Sequence, residues 1–281
     1  MNAYEQAVEY LAAKVRETEN IVEGDYVGGD DLYYCGKCHT RKQCHITVFG
    51  KDKIVPCICK CKADAIKAED EARQQHAFNE KIKKYRAMGF PESEMANWNF
   101  ANDDGTNPDM MKAMQNYVRK FDYFREQGKG LLLFGDVGTG KTFLAACAAN
   151  ALIDKGVPCL VTNFSRIANT VQGLFEGRQE YYDRLNRFPL LVLDDLSAER
   201  QTEYMLEIVF NVIDARYRAK LPLIVTTNLT REELMHPADI RYKRIFSRLF
   251  EMCVPIEVKG ADRRHAALRN DIAETKAMLG L

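Results

Sequence analysis

The residues best suited to chemistry form a glycine-rich motif near the middle of the 281-residue chain. The motif reads G-x-x-x-x-G-K-T and runs from Gly135 to Thr142. Its glycines let the backbone curl so that successive N–H groups point at one anion, and a following helix N-terminus adds partial positive charge. Lys141 is then placed for the β- and γ-phosphates of a nucleotide, and the Thr142 hydroxyl for Mg²⁺. The motif therefore predicts a phosphate-binding loop.

Such a loop has this meaning only between a strand and a helix. Residues 131–134 are a short apolar run typical of a buried strand, and residues 143–152 have strong helix composition. Motif and flanking segments agree, so we expect ATP to bind here. The residues predicted to contact it are Gly135, Asp136, Val137, Gly138, Thr139, Gly140, Lys141, Thr142 and Phe143.

Two further apolar segments end in polar residues. Residues 189–193 lead into Asp194 and Asp195, and residues 221–227 lead into Asn228. A buried strand that delivers a carboxylate beside a phosphate loop forms the other half of an ATPase site. We expect Asp194 to hold Mg²⁺ through water and Asp195 to polarise the attacking water. Asn228 is placed to hydrogen-bond that water or the γ-phosphate.

The cysteines indicate a second kind of chemistry. Six of the nine fall between Cys35 and Cys61, a clustering that favours metal over disulfides in a reducing compartment. A C-x₂-C turn supplies half of a tetrahedral zinc site, and the second cluster, beyond a short hairpin over 46–56, supplies the rest. Four protein ligands leave no open position, so the zinc is expected to be structural. The preferred ligands are Cys35, Cys38, Cys59 and Cys61; Cys57 is the first alternative, and Cys44 and His45 are less favoured.

Charge is balanced overall, with 40 basic and 40 acidic residues. Residues 1–34, however, hold two basic and eight acidic side chains, whereas residues 35–62 hold seven basic and one acidic. An acidic arm followed by a basic module suggests two different partners, although ordinary solvated surface would give the same balance. The sequence shows no signal-peptide core and no apolar run long enough to span a bilayer, so we expect a cytoplasmic protein without a membrane partner.

For the part of residues 1–91 that lies outside the cysteine region, the sequence predicts helices and loops. Residues 2–19 carry an apolar stripe at helical spacing. We expect that stripe to dock on a partner; the alternative is that it packs on its own domain. Residues 24–31 form a hinge. Residues 62–88 form a charged connecting helix that residues 89–91 end.

Helices also separate the predicted strands of the carboxyl-terminal part. One is expected at 109–127, and a helical region at 164–187 carries Arg166, Arg178 and Arg184. Strands are expected at 157–162 and 253–258. Arg244 and Arg248 share one face of a basic helix over 241–249, and Arg263 and Arg264 precede a closing helix.

With these motifs in this order, residues 95–281 resemble AAA+ ATPases. More narrowly, they resemble replicative helicase loaders of the DnaC/DnaI type and their relatives, the IstB transposition ATPases. The resemblance implies an α/β fold: a parallel sheet of order 5-1-4-3-2 with helices on both faces and a reduced lid. The cysteine-rich part resembles DnaI-like and phage-borne loaders. IstB proteins lack such a module, which favours a loader.

The resemblance assigns roles by position. Gly135, Gly140, Lys141 and Thr142 match Walker A, and Asp194 and Asp195 match Walker B. Asn228 matches sensor 1. The arginine finger that completes a neighbour's site is matched by Arg248, together with Arg244, and sensor 2 is matched by Arg264, with Arg263 the alternative. The region 164–187 lies where loaders line a pore for single-stranded DNA.

Two departures from the family pattern qualify these expectations. Many AAA+ proteins carry Asp-Glu where this chain has Asp194-Asp195, and the shorter side chain predicts slow hydrolysis, regulated by DNA or a partner. Only 17 residues follow Arg264, which argues against the initiators, clamp loaders and unfoldases that need a full lid.

The expected organisation has four parts. Residues 1–34 contact the helicase, 35–61 bind zinc, 62–95 form a linker helix and 96–281 form the ATPase domain. The resemblance implies ATP-dependent loading of a DnaB-type hexameric helicase onto single-stranded DNA, with side-by-side self-association. The alternatives are an IstB-like regulator of transposition and a non-enzymatic zinc adaptor.

Overall fold

The computed structural model describes residues 21–48, 50–90, 94–174, 176–196, 202–237, 239–262, 275–276 and 278–279. The helix predicted over 2–19, Arg263, Arg264 and most of the closing helix lie outside these residues. The chain divides into two compact units, Met1–Phe78 and Asn79–Leu281.

The first unit is built from short antiparallel strands and the start of a long helix. Strand β1 (Tyr26–Val27) pairs with β2 (Tyr33–Tyr34). Strands β3 (Gln43–Val48) and β4 (Lys51–Pro56) form the predicted hairpin, in which Cys44 lies opposite Val55. Helix α1 (Lys60–Gly89) confirms the predicted charged helix and is exposed along most of its length.

The second unit contains a five-stranded sheet whose strand pairs are all parallel. Its strands, in chain order, are β5 (Gly130–Phe134), β6 (Cys159–Asn163), β7 (Leu190–Asp194), β8 (Leu223–Thr227) and β9 (Cys253–Glu257). In space they lie in the order β6-β7-β8-β5-β9. Numbered within this unit, that is the predicted order 5-1-4-3-2, so the fold prediction is confirmed.

Helices cover both faces of the sheet because its central strands are apolar on both sides. Leu131 and Leu133 pack into one buried cluster, and Leu132 and Phe134 into the other. This is the burial expected of a parallel sheet. The helices are α2 (Pro108–Arg119), α3 (Phe121–Glu126), α4 (Lys141–Asp154), α5 (Phe164–Gln172), α6 (Arg178–Leu185), α7 (Glu203–Ala219), α8 (Arg231–Met235) and α9 (Ile240–Met252).

Two helix predictions need correction, and the structure contains helices that were not predicted. The single helix expected over 109–127 is broken at Lys120, which leaves helical geometry (φ −105°, ψ 23°), and Phe121 is buried directly after the break. The region 164–187 is two helices, α5 and α6, separated by a segment that contains Gly177 at φ 82°. Helix α7, capped by the Thr202 side chain on the N–H of Met205, was not predicted at all.

One fully buried arginine ties the amino-terminal ends of two central strands together. The Arg216 guanidinium donates to the carbonyls of Phe188, Pro189 and Pro222, which precede β7 and β8. Burial lowers the pKa of Arg216 to about 9. Carbonyl acceptors offset its desolvation, since a buried polar group without hydrogen bonds is costly.

Among the described residues, no helix combines the length and the apolar character needed to cross a bilayer.

Candidate nucleotide site and cysteine cluster

A cavity of about 370 Å³ opens where the carboxyl ends of β5, β7 and β8 meet the start of α4. Most of the glycine-rich loop lines it, as do Asp194, Asp195 and Asn228. These residues, from Val137 to Asn228, are separated by up to 91 positions in the chain and meet because parallel strands end at one edge of the sheet. Ligands of open α/β sheets bind at such edges.

The loop glycines are required by the packing around them. Gly135, Gly138 and Gly140 have φ of 137°, 79° and 90°, in the region that disfavours other residues. A Cβ on Gly135 would lie 2.6 Å from the Val258 carbonyl oxygen, and one on Gly138 would lie 1.8 Å from an Asp262 carboxylate oxygen. The segment after β9 therefore lies so close to the loop that a side chain with a Cβ does not fit at Gly135 or Gly138.

Lys141 is the first residue of α4 and is buried. Its Nζ donates to the carbonyls of Gly135 (2.8 Å) and Asp136 (2.6 Å), inside the curl of the loop. The Thr139 hydroxyl donates to the Asp136 carbonyl (2.9 Å) and tightens the same turn. Thr142 faces the cavity. The arrangement offers an ammonium group, a helix N-terminus and a hydroxyl to one anion and its cation, which fits a nucleoside triphosphate with Mg²⁺.

The two acids lie at the end of β7. Asp194 accepts a hydrogen bond from the Thr226 hydroxyl (2.6 Å). Asp195 has φ 55°, in the left-handed region, and its exposed carboxylate accepts from the Asn228 amide at 3.3 Å. The strands thus bring the three predicted polar residues to one corner of the cavity.

Further lining residues of the cavity come from the segment before α2, which was not predicted to belong to the site. Trp98 packs against Phe143 with ring centroids 5.8 Å apart, and Asn102 and Asp104 also line the cavity. The Asn107 amide donates to the Lys259 carbonyl (3.0 Å) and anchors this segment beside the loop. No motif marks these residues; the available signal was an aromatic next to a polar linker.

In the first unit, four thiols converge. The sulfur atoms of Cys35, Cys38, Cys59 and Cys61 all lie within 4.8 Å of one another. Cys61 Sγ is 3.6 Å from Cys35 Sγ and 3.4 Å from Cys59 Sγ. Tetrahedral Zn–S bonds of about 2.3 Å place sulfurs about 3.8 Å apart, so the cluster fits one four-coordinate zinc. These are the four cysteines preferred from the sequence.

The other candidate ligands lie outside this cluster. The Cys57 thiol donates to the Arg41 carbonyl at 3.5 Å, and burial, with Cys44 close by, raises the pKa of Cys57. The His39 ring nitrogen bonds the Tyr26 hydroxyl at 3.2 Å. His45 lies exposed on β3.

Hydrogen bonds from neighbouring groups shift the pKa values of two thiols in the cluster. The hydrogen bond from the Thr40 hydroxyl lowers the pKa of the Cys38 thiol to about 5, which favours the thiolate that binds metal. Hydrogen bonds with Cys59, Cys38 and Cys35 raise the pKa of Cys61 to about 12, because its neighbours stabilise the protonated form. A cation among the sulfurs would remove that penalty.

The backbone around the cluster is fixed by a buried ion pair. Lys42 Nζ bonds the Asp25 carboxylate, and both side chains are almost fully buried. Asp25 also accepts from the N–H groups of Val22 (2.7 Å) and Gly36 (3.0 Å), so it ties the segment before β1 to the C-x₂-C turn. The hydrogen bond from Lys42 is the main reason that the pKa of Asp25 is lowered to about 2.

Comparison with known proteins decides the family. Residues 63–270, well over half of the chain, match the family described as IstB-like ATP binding protein. The chain belongs to this family. Membership, with the phosphate loop and the sheet order described above, identifies an AAA+ P-loop ATPase. The family match begins after the last cysteine of the cluster, Cys61.

The relatives of this chain include helicase loaders and an insertion sequence protein. The IstB-like chain is 26% identical over 180 residues to the replicative helicase loader DnaI of Bacillus subtilis, covering 59% of this chain and 58% of DnaI. It is 33% identical over 126 residues to an insertion sequence ATP-binding protein of Sinorhizobium fredii, covering 43% of this chain and 41% of that protein. A crystal structure of DnaI matches with a TM-score of 0.52 at 25% identity, covering 64% of this chain and 99% of that one. The IstB-like chain thus spans 58% or less of the length of these two curated relatives.

Among the described lining residues of the cavity, neither Arg244 nor Arg248 is present. On α9, Arg248 donates to Asp214 of α7 (2.8 Å) and lies over the Phe210 ring, 4.6 Å from its centroid. Glu251, which lies on the same helix, accepts from the Tyr217 hydroxyl (2.6 Å). Arg244, one turn earlier, is exposed. Arg264 lies outside the described residues.

The arginines of the 164–187 region lie on the surface. Arg166, Arg178 and Arg184 are exposed, and Arg178 and Arg184 lie over the rings of Tyr204 and Tyr181, at 5.9 and 5.5 Å. Phe164, at the start of α5, is buried at 5% exposure and is not available to stack on bases. Phe175 lies outside the described residues.

Proposed function

We propose that this chain is an ATP-dependent loader of a ring-shaped, DnaB-type replicative helicase onto single-stranded DNA. The observation that carries the proposal is the match to the DnaI crystal structure over 99% of that chain, combined with a cysteine module that precedes the family match. The cavity supplies the ATP dependence. The loading role is proposed because the relative DnaI is a replicative helicase loader. ATP turnover is expected to be slow because Asp195 stands where many AAA+ proteins carry the longer glutamate.

In this proposal the cavity divides into a phosphate end and a base end. Lys141 and the loop N–H groups hold the phosphates, and Thr142 and Asp194 hold Mg²⁺, which neutralises charge on the transferred phosphoryl group. Asp195 and Asn228 orient the attacking water. Trp98, with Asn102 and Asp104 nearby, borders the space left for the base.

The chain provides its own reporter for this orientation, because Trp98 is its only tryptophan. We expect ATP and ADP to change the Trp98 fluorescence with saturable binding curves. The Lys141→Ala variant should require far more nucleotide for the same change. Unchanged fluorescence under conditions where a radiolabelled nucleotide binds would contradict the assignment of the base end.

The cysteine cluster is proposed to hold one structural zinc through Cys35, Cys38, Cys59 and Cys61. Its role is to fold the first unit, which would present residues 1–34 to the helicase. Those residues include the predicted helix over 2–19, which lies outside the described part of the chain.

Arg166, Arg178 and Arg184 are proposed to contact the phosphates of single-stranded DNA. They are exposed and lie on α5 and α6, which pack on the same face of the sheet. Arg248, together with Arg244, is proposed to complete the ATP site of a neighbouring copy in a side-by-side, cytoplasmic assembly. Arg264 is proposed as the sensor 2 arginine within the copy that carries it.

A second function is favoured by one specific observation. Sequence identity to the insertion sequence ATP-binding protein, 33%, exceeds that to DnaI, although it covers 41% of that relative. The corresponding proposal is an ATPase that binds duplex DNA and regulates a transposase. It uses the same nucleotide cavity, so the partners separate the two functions.

Affinity capture from the cell of origin tests the choice. The full chain and the Lys141→Ala variant are tagged and compared in nuclease-treated extract with ATP. Recovery of a hexameric replicative helicase with the unmodified chain is the expected result. Recovery of a transposase without helicase, together with tighter binding to duplex than to single-stranded DNA, would replace the loader proposal with the transposition one.

A further inference from the structure

The junction between β7 and β8 is held by a side chain where the backbone ladder ends. The last described pair of that ladder is Leu193 with Val225. One residue further on, the Thr226 hydroxyl donates to Asp194 Oδ1 at 2.6 Å and accepts from the Asp195 N–H at 2.9 Å. Thr226 is 2% exposed, so water does not compete for these bonds.

The directions of these bonds are fixed by chemistry. A hydroxyl has one proton and two acceptor positions. The Asp195 N–H can only donate, so the Thr226 proton goes to Asp194 Oδ1. One hydroxyl therefore sets the rotation of the Asp194 carboxylate and the position of the Asp195 backbone together.

The backbone at Asp195 needs such support. A non-glycine residue at φ 55° is uncommon and persists only where the surrounding structure holds it. The neighbouring Leu196 N–H donates to the Thr226 carbonyl at 2.8 Å, and the Leu196 carbonyl accepts from the Thr227 hydroxyl. This turn directs Asp195 into the cavity, 3.3 Å from the Asn228 amide.

We infer that Thr226 is a positioning residue for hydrolysis, acting through both acids. Its hydroxyl orients the Asp194 carboxylate for Mg²⁺ and maintains the strained turn that presents Asp195 to the water. The inference rests on the proposed roles of those two acids. Removing a partner that orients a metal-binding group typically costs about 10- to 100-fold in metal affinity or activity.

The test uses full-length variants that separate the hydroxyl from the shape of the side chain. Thr226→Val keeps the shape and loses the hydroxyl, whereas Thr226→Ser keeps the hydroxyl. Thr162→Val, a buried threonine of β6 outside the cavity wall, is the matched control for a threonine lost from the same sheet. Each is assayed for ATP turnover against Mg²⁺ concentration and for binding of a fluorescent ATP analogue with and without Mg²⁺.

We expect Thr226→Val to turn over ATP about 10- to 100-fold more slowly and to need more Mg²⁺. Analogue affinity without Mg²⁺ should stay within about threefold, because the phosphate loop is untouched, while the gain in affinity from Mg²⁺ should shrink. Thr226→Ser and Thr162→Val should behave like the unmodified chain. If Thr226→Val does not fold, Thr226→Cys replaces it, since a thiol is only a weak donor.

Two outcomes would overturn the inference. Turnover and Mg²⁺ response of the Val or Cys variant equal to the unmodified chain would show that the hydroxyl positions nothing. Equal losses in the Val and Ser variants would assign the effect to disturbed packing at this buried position and not to the hydroxyl. Failure of the proposed site roles is distinguishable, because Asp195→Asn would then retain full turnover.

Discussion

The nucleotide cavity and the cysteine cluster bring their functional groups together in different ways. In the cavity, groups from residues 98–228 meet beside parallel strands that are buried on both faces at the centre of the sheet and end at one edge. In the cluster, four thiols within 27 residues meet on short strands and turns with few buried apolar neighbours. The core alone can hold the cavity, whereas the cluster holds mutually unfavourable groups that a cation would stabilise. We therefore expect the two regions to be unfolded by different changes.

Zinc removal should produce the largest difference between the regions. Structural zinc contributes about 10–16 kcal/mol in small modules, so chelation or Cys35→Ser with Cys38→Ser should unfold residues 21–59. The sheet unit should keep its thermal transition. Metal analysis should give one zinc per chain, and hydrogen exchange should localise the loss.

Cys44→Ser and Cys57→Ser are the matched controls, since both thiols lie in the same unit outside the four-sulfur cluster. Both should retain zinc. Zinc loss in Cys57→Ser alone would instead support the alternative ligand set, and a zinc-free chain with a folded first unit would refute the site.

The next largest effect is expected from the arginine supplied between copies. A finger arginine is worth about 10³- to 10⁵-fold in turnover, so Arg248→Ala should nearly abolish hydrolysis. Mixing it with Lys141→Ala chains, which keep an intact arginine, should restore activity that neither variant shows alone. Arg244→Ala is run in parallel.

The ion pair with Asp214 sharpens this prediction. If Arg248 only joins α9 to α7, Asp214→Asn should lower activity as much as Arg248→Ala, and mixing should add nothing. If Arg248 acts on a neighbour, Asp214→Asn should keep most of its turnover.

Within the cavity, binding and hydrolysis should separate. Asp195→Asn should lower turnover by about 10²- to 10⁴-fold while nucleotide affinity is retained, because it alters the group that polarises water. Lys141→Ala should weaken ATP binding about 10- to 100-fold through loss of charged hydrogen bonds to the phosphates. Isothermal titration with ATP and steady-state kinetics measure the two effects; equal loss of binding in both variants would contradict the division.

The smallest predicted effect is the salt dependence of single-stranded DNA binding. Three arginine–phosphate contacts give a slope of log affinity against log salt of about −2, and each arginine contributes about −0.7. Fluorescence anisotropy in ATP should show that slope, reduced by about 0.7 in Arg178→Ala. Arg125→Ala, an exposed arginine on a helix of the other sheet face, should change nothing.

Both the nucleotide cavity and the cysteine cluster contain features that short sequence segments could predict. Strand identity could be predicted because buried parallel strands are uninterrupted apolar runs, such as Leu190–Leu193, that end in polar motifs. The sheet order was implied by the resemblance to AAA+ ATPases. The four clustered thiols could be predicted because their spacing is local. These signals depend on short segments read one at a time.

Features that depend on tertiary packing could not be predicted. Trp98 reaches the cavity only because the segment before α2 is anchored beside the phosphate loop. Thr226 reads as an ordinary strand residue until its hydroxyl is seen between two acids. The break at Lys120 lets Phe121 enter the core, which helix propensity does not record, and Arg248 meets Asp214 from 34 residues away.

Loading of a helicase ring onto DNA without ends tests the central claim most directly. The substrate is a closed circle of single-stranded DNA carrying a tailed, annealed oligonucleotide, supplied with the replicative helicase from the same cell. We predict that release of the oligonucleotide requires this chain and ATP, and that Lys141→Ala does not support it. Equal release by the helicase alone, or no release with the unmodified chain at any ATP concentration, would contradict the loader function.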